Sequence, residues 1–496
     1  MSVVIAIDAG TTGVRAFALR EDGTAGGFSY REFPQHYPRP GWVEHDPLDI
    51  WEATRTTLAE LVAALDEPIA AVGITDQRET LVAWDRRTGQ PRHRAIVWQD
   101  RRTADRCQAL RDAGEEAAIR ARTGLVLDPY FTATKAEWLL TEGGVEADAA
   151  LALGTIDAWI LWNLTGGPDG GVLATEPSNA SRTMLYDLRT RAWSPELLDL
   201  FGVPAAALPE VRPSSGRFGT TVAGTGLPAG LPVSGIAGDQ QAALFGQACL
   251  EPGMTKNTYG TGSFVLMNVG PTCPEPQEGL LTTVAWTLAD GTTHYALEGS
   301  IFVTGAAVQW LRDGLEVITE SAEVNALAAS VPDSGGCVVV PAFTGLGSPW
   351  WDPYARGFVG GITRGTTRAH LARAVLESMA LQTCDVVASM SEASGHPIAA
   401  LRADGGAAAS DLLMQIQADL LDVPVSRPVI NETTALGAAY LAGLAEGVWG
   451  SPDDIQANWH LDATFAPAGD PDALQALRDQ WHRAVDRSRG WARSEG

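Results

Sequence analysis

Lysine is almost missing from this chain: of 35 lysine and arginine residues, only Lys135 and Lys256 are lysines. The phosphate-binding pattern GxxxxGK[ST] of P-loop enzymes, which needs a lysine after its second glycine, does not occur. The HRD and DFG motifs of protein kinases are missing as well. If this chain handles nucleotide phosphates, it therefore uses backbone groups, hydroxyls and arginine in a different architecture.

Cysteines are few, and long apolar runs are absent. The five cysteines are scattered and form no CxxC pair, which predicts a reducing compartment and no structural zinc. No run of 18 apolar residues occurs and the N-terminus has no basic signal-peptide region, so we expect a cytoplasmic protein that does not insert into membranes. The net charge of −25 argues against nucleic acid as a partner.

The chain is too long for one compact core, since it has 496 residues. Alternating apolar strands and helical segments predict an α/β fold. Two hairpins with a Gly/Thr turn, VVIAIDAGTTGVRAFAL and KNTYGTGSFVLMNVG, lie roughly 250 residues apart. This repetition predicts two similar domains, residues 1–247 and 248–496, with a cleft between them.

The turn of the first hairpin carries groups suited to an anion. Thr11 and Thr12 offer hydroxyls beside backbone N–H groups, and Arg15 offers a positive charge. Asp8, at the mouth of the turn, is a candidate ligand for Mg²⁺, directly or through water. The alternative interpretation is a plain hairpin with a polar tip.

The stretch SGIAGDQQAALFGQ, residues 234–247, contains the candidate general base. A short apolar strand leads through Gly238 to Asp239, where a helix begins. Aspartate is a common helix N-cap, and that structural role is the alternative. A cap does not require the Gln240–Gln241 pair that follows, and glycine lets a ligand approach the backbone. Carboxylates at such strand-to-helix turns serve as general bases, so we interpret Asp239 as the base.

Other candidates follow predicted strands. The apolar segment AAVGIT ends in DQRET, so Arg78 and Glu79 stand where α/β folds bind ligands, although such a pair is often a solvated surface pair. Trp98, in AIVWQDRR, fits either the core or the wall of a site. The turn DGGAAAS at 404–410 opens a helix predicted over 407–421, which suits a nucleotide lying on the backbone or simply a tight turn.

Longer motifs carry a resemblance that covers nearly the whole chain. ITDQRET, AIVWQDRRT, SNASRTML, SGIAGDQQAALFGQ, KNTYGTG and YALEGSIFVTGAAVQWLRD are similar to stretches of the FGGY carbohydrate kinase family. The resemblance implies two actin-like (RNase H-like) α/β domains with an ATP and substrate cleft between them, in a homodimer or homotetramer. It also implies ATP- and Mg²⁺-dependent phosphorylation of glycerol to sn-glycerol 3-phosphate by in-line transfer, with Asp239 as general base.

The family's site residues carry over to matching positions of this chain. The resemblance assigns to the polyol Arg78, Glu79, Trp98, Tyr130, Asp239, Gln240 and Phe264. It assigns to the nucleotide Thr11, Thr12, Gly13, Arg15, Thr261, Gly305, Gln309, Gly406 and Ser410, with Asp8 for the metal ion. A site that bonds each hydroxyl of a triol rejects analogues that lack one, because its own buried groups are then left unpaired.

The chain departs from the family pattern at a few positions. In the first loop, DAGTTGVR, Ala9 and Gly13 replace polar residues, and Ser410 stands where the family has an Asn near the adenine. We expect altered nucleotide affinity or base selectivity, because a hydroxyl makes fewer hydrogen bonds than an amide. The segment TVAGTGLPAGLP has no basic residue or histidine, so we expect regulation by fructose 1,6-bisphosphate or histidine phosphorylation to be absent.

Two alternative functions remain open at this point. An FGGY kinase for another small polyol or ketose has a different acceptor, and the GTTGVRA loop slightly resembles that branch. The Arg78–Glu79 pair with Trp98 and Tyr130 favours glycerol. An actin-like ATPase without a small-molecule acceptor would leave these polyol residues without a role.

Overall fold

The computed structural model describes residues 2–493, which form an α/β protein. The strands are β1 (Val3–Ala9), β2 (Gly13–Arg20), β3 (Ala25–Glu32), β4 (Glu44–His45), β5 (Ile69–Asp76), β6 (Leu81–Asp85), β7 (Ala95–Ile96), β8 (Leu151–Thr155), β9 (Ala174–Thr175), β10 (Tyr186–Asp187), β11 (Ala192–Trp193), β12 (Glu210–Val211), β13 (Ser215–Thr220), β14 (Pro232–Gly238), β15 (Thr255–Tyr259), β16 (Ser263–Gly270), β17 (Leu281–Thr287), β18 (Thr293–Ile301), β19 (Val338–Val340), β20 (Phe358–Gly360), β21 (Leu401–Asp404), β22 (Val425–Pro428) and β23 (Leu461–Phe465). The helices are α1 (Pro47–Ala64), α2 (Ala104–Asp112), α3 (Glu116–Thr123), α4 (Thr132–Thr141), α5 (Ile156–Leu164), α6 (Pro177–Ala180), α7 (Pro195–Phe201), α8 (Asp239–Gly246), α9 (Gly305–Gln309), α10 (Glu323–Ala329), α11 (Arg368–Ser394), α12 (Asp411–Leu421), α13 (Thr433–Ala445), α14 (Pro452–Ala457) and α15 (Pro471–Ser488).

Within residues 2–493, two large mixed sheets repeat the same topology. Their strand orders are β13-β14-β5-β1-β2-β3 and β17-β18-β16-β15-β21-β22-β23. In each sheet a third antiparallel strand, β3 or β18, extends the hairpin on one side. On the other side lie two parallel strands, β5 with β14 or β21 with β22. The predicted two-domain α/β fold is confirmed, whereas boundaries at 247 and 248 stay a prediction.

Strand register brings the candidate segments to one edge of each sheet. In the first sheet Asp76 pairs with both Ala9 and Gly238, so the first hairpin turn, the DQRET segment and the start of α8 meet there. In the second sheet Thr258 pairs with Asp404, which sets the second hairpin turn beside the DGG turn. Ligand sites of α/β folds form at such carboxyl ends of parallel strands.

The two halves of the chain share part of their core. Helix α13 follows most of the second sheet in sequence but packs against β1, β5 and β14 of the first. Buried Val4, Leu266 and Leu441 belong to one apolar cluster that includes residues of both halves. Helix α13 also contacts α8 so closely that a Cβ at Gly437 would lie 1.8 Å from the carbonyl oxygen of Ala242. This contact holds α8, the helix whose first residue is Asp239, against α13.

A few boundaries differ from those predicted. Helix α12 begins at Asp411 rather than at 407, because the Oγ of Ser410 accepts a hydrogen bond from the N–H of Leu413 and caps the helix there. The sequence pattern predicts a last helix over about 471–493, and α15 ends at Ser488. The Pro- and Gly-rich segment 204–232 predicts a long irregular crossing, and it contains the strands β12 and β13.

No helix within residues 2–493 is long and apolar enough to cross a membrane. The five cysteines all lie among these residues as free thiols, and Cys107, Cys249 and Cys337 are buried. Disulfide bonds therefore make no contribution to the stability of the described part of the chain.

Candidate active site

Asp239 is the first residue of α8, directly after β14. It is not the N-cap, because Gly238 takes that position and the Asp239 carboxylate accepts from the adjacent N–H of Gln240 at 2.7 Å. The N–H of Gly238 donates to the Oγ of Ser178 at 2.9 Å, which anchors the turn. The Asp239 side chain keeps 31% of its exposure. The alternative of a structural cap is therefore wrong, and the carboxylate stays accessible.

Arg78 connects Asp239 to several other elements. A Cβ at Gly238 would lie 2.6 Å from the Cγ of Arg78, so this glycine makes room for Arg78 rather than for a ligand. The Nε of Arg78 lies 3.2 Å from Oδ1 of Asp239, and Nη2 donates to the Oη of Tyr130 at 3.0 Å. Arg78 also pairs with both carboxylate oxygens of Glu298. The alternative of a solvated surface pair is wrong, since Arg78 and the adjacent Glu79 are both buried.

Glu298 and Arg182 complete a buried ionic cluster that the sequence reasoning did not assign to the site. The Nε of Arg182 donates to Glu79 at 2.7 Å, and its Nη2 donates to Glu298 at 3.0 Å. All four side chains of the cluster, including Arg78, are at most 2% exposed. The motifs SNASRTML and YALEGS contained both missed residues, but pairing between distant buried charges is not visible in sequence.

The cluster sets the charges of the candidate site. Burial alone would raise the pKa of Glu298, yet the guanidiniums of Arg182 and Arg78 lower it to about 2. Burial raises the pKa of Asp239, which Arg78 opposes and the nearby charge of Glu79 reinforces. Asp239 thus takes up a proton more readily than an ordinary aspartate, which is the property required of a general base.

Aromatic side chains form a wall beside the cluster. The rings of Trp98 and Tyr130 meet edge to face, with centroids 5.6 Å apart. Trp98 is half-buried, and its Nε1 donates to the Oγ1 of Thr11 at 2.9 Å. Phe264, on β16, lies with its ring centroid 5.7 Å from the guanidinium carbon of Arg78. Trp98 therefore contacts both Tyr130 and the first hairpin turn rather than filling the core.

Gln240 is buried beside the candidate base. Its Oε1 accepts from the Nζ of Lys256 at 2.6 Å, and the same ammonium donates to the carbonyl oxygen of Phe264 at 3.3 Å. The structure thus links all the predicted polyol residues in one network of contacts: Arg78, Glu79, Trp98, Tyr130, Asp239, Gln240 and Phe264. Their individual roles stay predictions.

The first hairpin turn is held by amide side chains from neighbouring segments. The Nε2 of Gln77 donates to the carbonyl oxygen of Gly10 at 2.9 Å. The Nε2 of Gln35 donates to the carbonyl oxygen of Thr11 at 3.0 Å. Because the carbonyl oxygens of Gly10 and Thr11 already accept hydrogen bonds, the hydroxyls and N–H groups of the turn are the ones left to bind an anion.

Packing between β2 and β3 explains why glycine stands at position 13. A Cβ at Gly13 would lie 2.5 Å from the carbonyl oxygen of Arg31 and 2.7 Å from the Oη of Tyr30. The hydroxyl of Thr12 is exposed and lies 3.4 Å from the same Tyr30 oxygen. Tyr30 thus occupies the space that a side chain at position 13 would need.

Asp8 and Arg15 pair across β1 and β2 at the edge of the site. Burial raises the pKa of Asp8 to about 6, Arg15 opposes this rise, and the negative charge of Asp239 adds to it. Arg15 forms an ion pair with Glu432, which comes from the second half of the chain. Its guanidinium carbon also lies 5.5 Å from the ring centroid of Tyr30. Glu432 thus offsets part of the positive charge that Arg15 would offer to a phosphate.

The second hairpin turn lies against the start of α9. The N–H of Gly305 donates to the carbonyl oxygen of Gly260 at 3.1 Å, and a Cβ at Gly305 would lie 2.5 Å from that oxygen. Thr261 is exposed at the tip of the turn, and Gln309 is exposed at the end of α9. The structure therefore brings three predicted nucleotide residues, Thr261, Gly305 and Gln309, to one place.

The DGG turn lies beside this second hairpin. Gly405 has a φ of 85°, and a Cβ there would lie 2.5 Å from the carbonyl oxygen of Tyr259, the last residue of β15. A side chain is thus excluded both by backbone conformation and by space. Gly406 is exposed, and nothing lies within 4 Å of its Cβ position. The turn presents open backbone beside the end of β15, and the role of Gly406 in nucleotide binding stays a prediction.

Ser410 is largely occupied by structural bonds. Its Oγ caps α12 through the N–H of Leu413 at 3.1 Å and donates to the Oδ1 of Asn325 on α10. Only 7% of Ser410 is exposed. The family has an Asn at the position of Ser410. In this chain the amide of Asn325, which belongs to α10, lies next to that position instead.

The site lacks the ligands of a resident metal ion. Among residues 2–493, no three His, Cys, Asp or Glu side chains converge where they could hold one. Mg²⁺ is often bound by one or two carboxylates together with substrate phosphates and water. Asp8 and Asp239 are recessed carboxylates close enough for the charge of one to raise the pKa of the other. This donor set fits a Mg²⁺ ion that arrives with a nucleotide.

The chain has two α/β domains of repeated topology, a Gly/Thr turn in each and a carboxylate where they meet. These are the features expected of a two-domain kinase. Models of the FGGY family of carbohydrate kinases match the chain with the N-terminal domain over residues 3–246 and the C-terminal domain over 255–446. The chain belongs to the FGGY family of carbohydrate kinases.

Known proteins resemble this chain over nearly their full length. The glycerol kinase of Trichlorobacter lovleyi is 55% identical over 499 residues, which cover 99% of this chain and 100% of that protein. The crystal structure of Plasmodium falciparum glycerol kinase with ADP has a TM-score of 0.92 at 32% identity and covers 98% of both chains. Xylulose kinase from Rhodospirillum rubrum has a TM-score of 0.86 at 28% identity and also covers 98% of both.

The first prediction concerns the buried ionic cluster. We expect Glu298→Gln to lower the free energy of unfolding by about 3–5 kcal/mol, because it leaves two buried guanidiniums without their shared carboxylate. Chemical denaturation followed by circular dichroism measures the change. Glu52→Gln is the matched control, since Glu52 pairs with Arg55 on an exposed face and should change little. Equal effects of the two substitutions would contradict the prediction.

Proposed function

We propose that this chain transfers the γ-phosphate of ATP to glycerol, giving sn-glycerol 3-phosphate and ADP. One observation carries the proposal: Asp239 lies 3.2 Å from Arg78, in the network that links every predicted polyol residue. The 55% identity with the glycerol kinase of Trichlorobacter lovleyi over the whole chain supports the choice of substrate. The likeness to Plasmodium falciparum glycerol kinase with ADP supports the choice of nucleotide.

Glycerol is recognised by opposed polar and apolar groups. Glu79 and Asp239 accept hydrogen bonds from its hydroxyls, and the guanidinium of Arg78 donates. The rings of Trp98 and Phe264 pack against its carbons. Because Arg182 and Glu298 bond the outer faces of Glu79 and Arg78, these groups hold their orientation before substrate arrives.

Asp239 acts as the general base. It accepts the proton of the attacking glycerol hydroxyl while that oxygen bonds to the γ-phosphorus in line with the departing ADP. The pKa of Asp239, raised by burial, makes the carboxylate a better proton acceptor than a solvated aspartate. Arg78 limits this rise in pKa, since its positive charge favours the ionised form.

The nucleotide lies between the two hairpin turns. The phosphates are bound by the N–H groups of the turns and by the hydroxyls of Thr11, Thr12 and Thr261. The adenine lies on the open backbone at Gly406. Asp8 would hold a Mg²⁺ ion that neutralises developing charge on the phosphates. Closure of the domains around both substrates excludes water from the γ-phosphate.

A ketose kinase of the same family is the rival. The 28% identity and TM-score of 0.86 with xylulose kinase from Rhodospirillum rubrum make the fold compatible with that activity. The acceptor is tested by measuring ADP release with glycerol, dihydroxyacetone and xylulose in parallel, with a reaction without acceptor as control. We expect turnover strongly favouring glycerol. A preference for xylulose would assign the rival activity, and equal ADP release without acceptor would mean an ATPase.

A further prediction concerns the base. Asp239→Asn should lower kcat by about 10²- to 10⁴-fold, since a general base contributes that much, and should leave glycerol affinity within a few-fold. Steady-state kinetics and calorimetric glycerol binding separate the two effects. Asp472→Asn is the matched control, because Asp472 occupies the first turn of α15 on the surface. Near-normal turnover of Asp239→Asn would remove Asp239 from the role of base.

The raised pKa of Asp8 predicts a specific pH dependence. The Mg²⁺ concentration for half-maximal velocity should increase as pH falls through about 6, because the carboxyl is then protonated and cannot bind the ion. An ordinary aspartate would lose this ability only near pH 4. Titrations of velocity against Mg²⁺ at several pH values measure the shift.

Asp8→Asn is the control, since it keeps the pH dependence of Mg–ATP in solution but removes the protein carboxylate. The variant should also unfold at a higher temperature than the wild type above pH 6. The sign follows because a buried acid with a raised pKa destabilises the folded state once it is ionised. Identical Mg²⁺ titrations of variant and wild type at every pH would contradict the assignment of Asp8.

A further inference from the structure

The two lysines of this arginine-rich chain share an unusual environment. Of 35 lysine and arginine residues, only Lys135 and Lys256 are lysines, and both are 0% exposed. Lysine is among the residues least often buried. Elsewhere in this chain arginine serves wherever a cation is needed, so these two positions have a requirement that arginine does not meet.

Lys256 uses all three of its N–H donors. From β15, its Nζ donates to the Oε1 of Gln240 at 2.6 Å, to the Oγ1 of Thr258 at 2.8 Å and to the carbonyl oxygen of Phe264 at 3.3 Å. Two of these three acceptors belong to predicted polyol residues. Gln240 lies on α8, next to Asp239. Lys256 thus connects Gln240 of the first half of the chain with Phe264 of the second half.

Lys135 bonds the segment that carries Tyr130. Its Nζ donates to the carbonyl oxygen of Tyr130 at 2.7 Å, two residues before α4 begins. Lys135 lies in the first turns of that helix, where a positive charge is disfavoured by the helix dipole. Tyr130 in turn bonds Arg78 through its hydroxyl. Helix stability therefore does not explain a lysine at position 135. Its partner, Tyr130, is again a predicted polyol residue.

The geometry of an ammonium explains the choice of lysine at position 256. Its three donors point tetrahedrally from one small atom, whereas a guanidinium is flat and wide and forms bonds in one plane. The three partners of Lys256 surround a single point, which a guanidinium would overfill. Burial lowers the pKa of both lysines to about 8, while nearby carboxylates (Asp404, Asp239 and Glu298 for Lys256; Glu79, Asp100 and Asp128 for Lys135) favour the charged form.

We propose that Lys256 and Lys135 are positioning residues for polyol binding, which act through Gln240 and Tyr130 respectively. The inference rests on the proposed function, because it takes these two partners as contacts of the substrate. Lys256 binds the side-chain oxygen of Gln240 and so fixes the orientation of its amide, with the NH₂ group left to donate. Lys135 binds the backbone carbonyl of Tyr130 and so fixes the position from which its ring and hydroxyl extend.

Charge-conserving variants test the proposal best, because they avoid a buried vacancy. Lys256→Arg and Lys135→Arg should raise KM for glycerol by about tenfold or more, the effect of losing a charged hydrogen bond, with KM for ATP within twofold. Arg402→Lys is the matched control. Arg402 pairs in register with Lys256 on the neighbouring strand, but it bonds the carbonyl of Gln247 and stacks on Trp459. It should leave both KM values unchanged.

A double-mutant cycle identifies the partner of Lys256. Gln240→Met and Lys256→Arg should be strongly non-additive in kcat/KM for glycerol, because either change breaks the same bond. Thermal unfolding of each variant shows whether it is folded. Should Lys256→Arg not fold, Gln240→Met paired with Lys256→Met gives the same cycle, and folding restored by the double change would support the contact.

The outcomes separate this proposal from the function itself. Wild-type KM for glycerol in folded Lys256→Arg, equal loss of affinity for glycerol and ATP, or additive effects in the cycle would each overturn the positioning role while leaving glycerol phosphorylation intact. A wild-type enzyme with no glycerol-dependent ADP release would instead overturn the proposed function.

Discussion

The pairing of Arg78 with Glu298 is the constraint on which the site depends. One partner follows a strand of the first sheet and the other lies on a strand of the second, and both side chains are at most 2% exposed. Removing two charges from water costs several kcal/mol, which their attraction offsets only while good geometry is kept. Glu298 bonds both Arg78 and Arg182 of the first half, so the cluster joins the two halves of the chain at this point.

The same cluster adjusts the chemistry of Asp239. Burial disfavours the ionised form and Arg78 favours it, so the carboxylate ends with a pKa above its ordinary value. Without Arg78 the pKa of Asp239 would rise further, whereas additional cations nearby would lower it and make the carboxylate a weaker proton acceptor. Because Arg78 is itself oriented by Glu298, the pKa of Asp239 also depends on a residue outside the predicted polyol set.

Local signals in the sequence are enough to predict the hairpins, the repeated fold and the strand-to-helix turn that carries Asp239. Turn residues and apolar strands act over a few positions, so the hairpin turns that contain Thr11 and Thr261 follow from their neighbours alone. The partners of the cluster could not be found this way, since Arg78 and Glu298 are 220 residues apart and charge burial is a tertiary property. The rarity of lysine was visible in the sequence, but its meaning came from the contact of Lys256 with Gln240.

The departures from the family pattern are absorbed by packing close to each one. At Gly13 the hydroxyl of Tyr30 already fills the space beside the backbone, so the missing side chain leaves no gap. At Ser410 the shorter side chain caps α12 and bonds the amide of Asn325, so a group of the kind that was lost still stands at the same edge. A substitution at a binding position thus has to be judged with the neighbours that occupy the space around it. Neither position belongs to the buried cluster of Arg78, Glu79, Arg182 and Glu298, so these departures leave the charges around Asp239 unchanged.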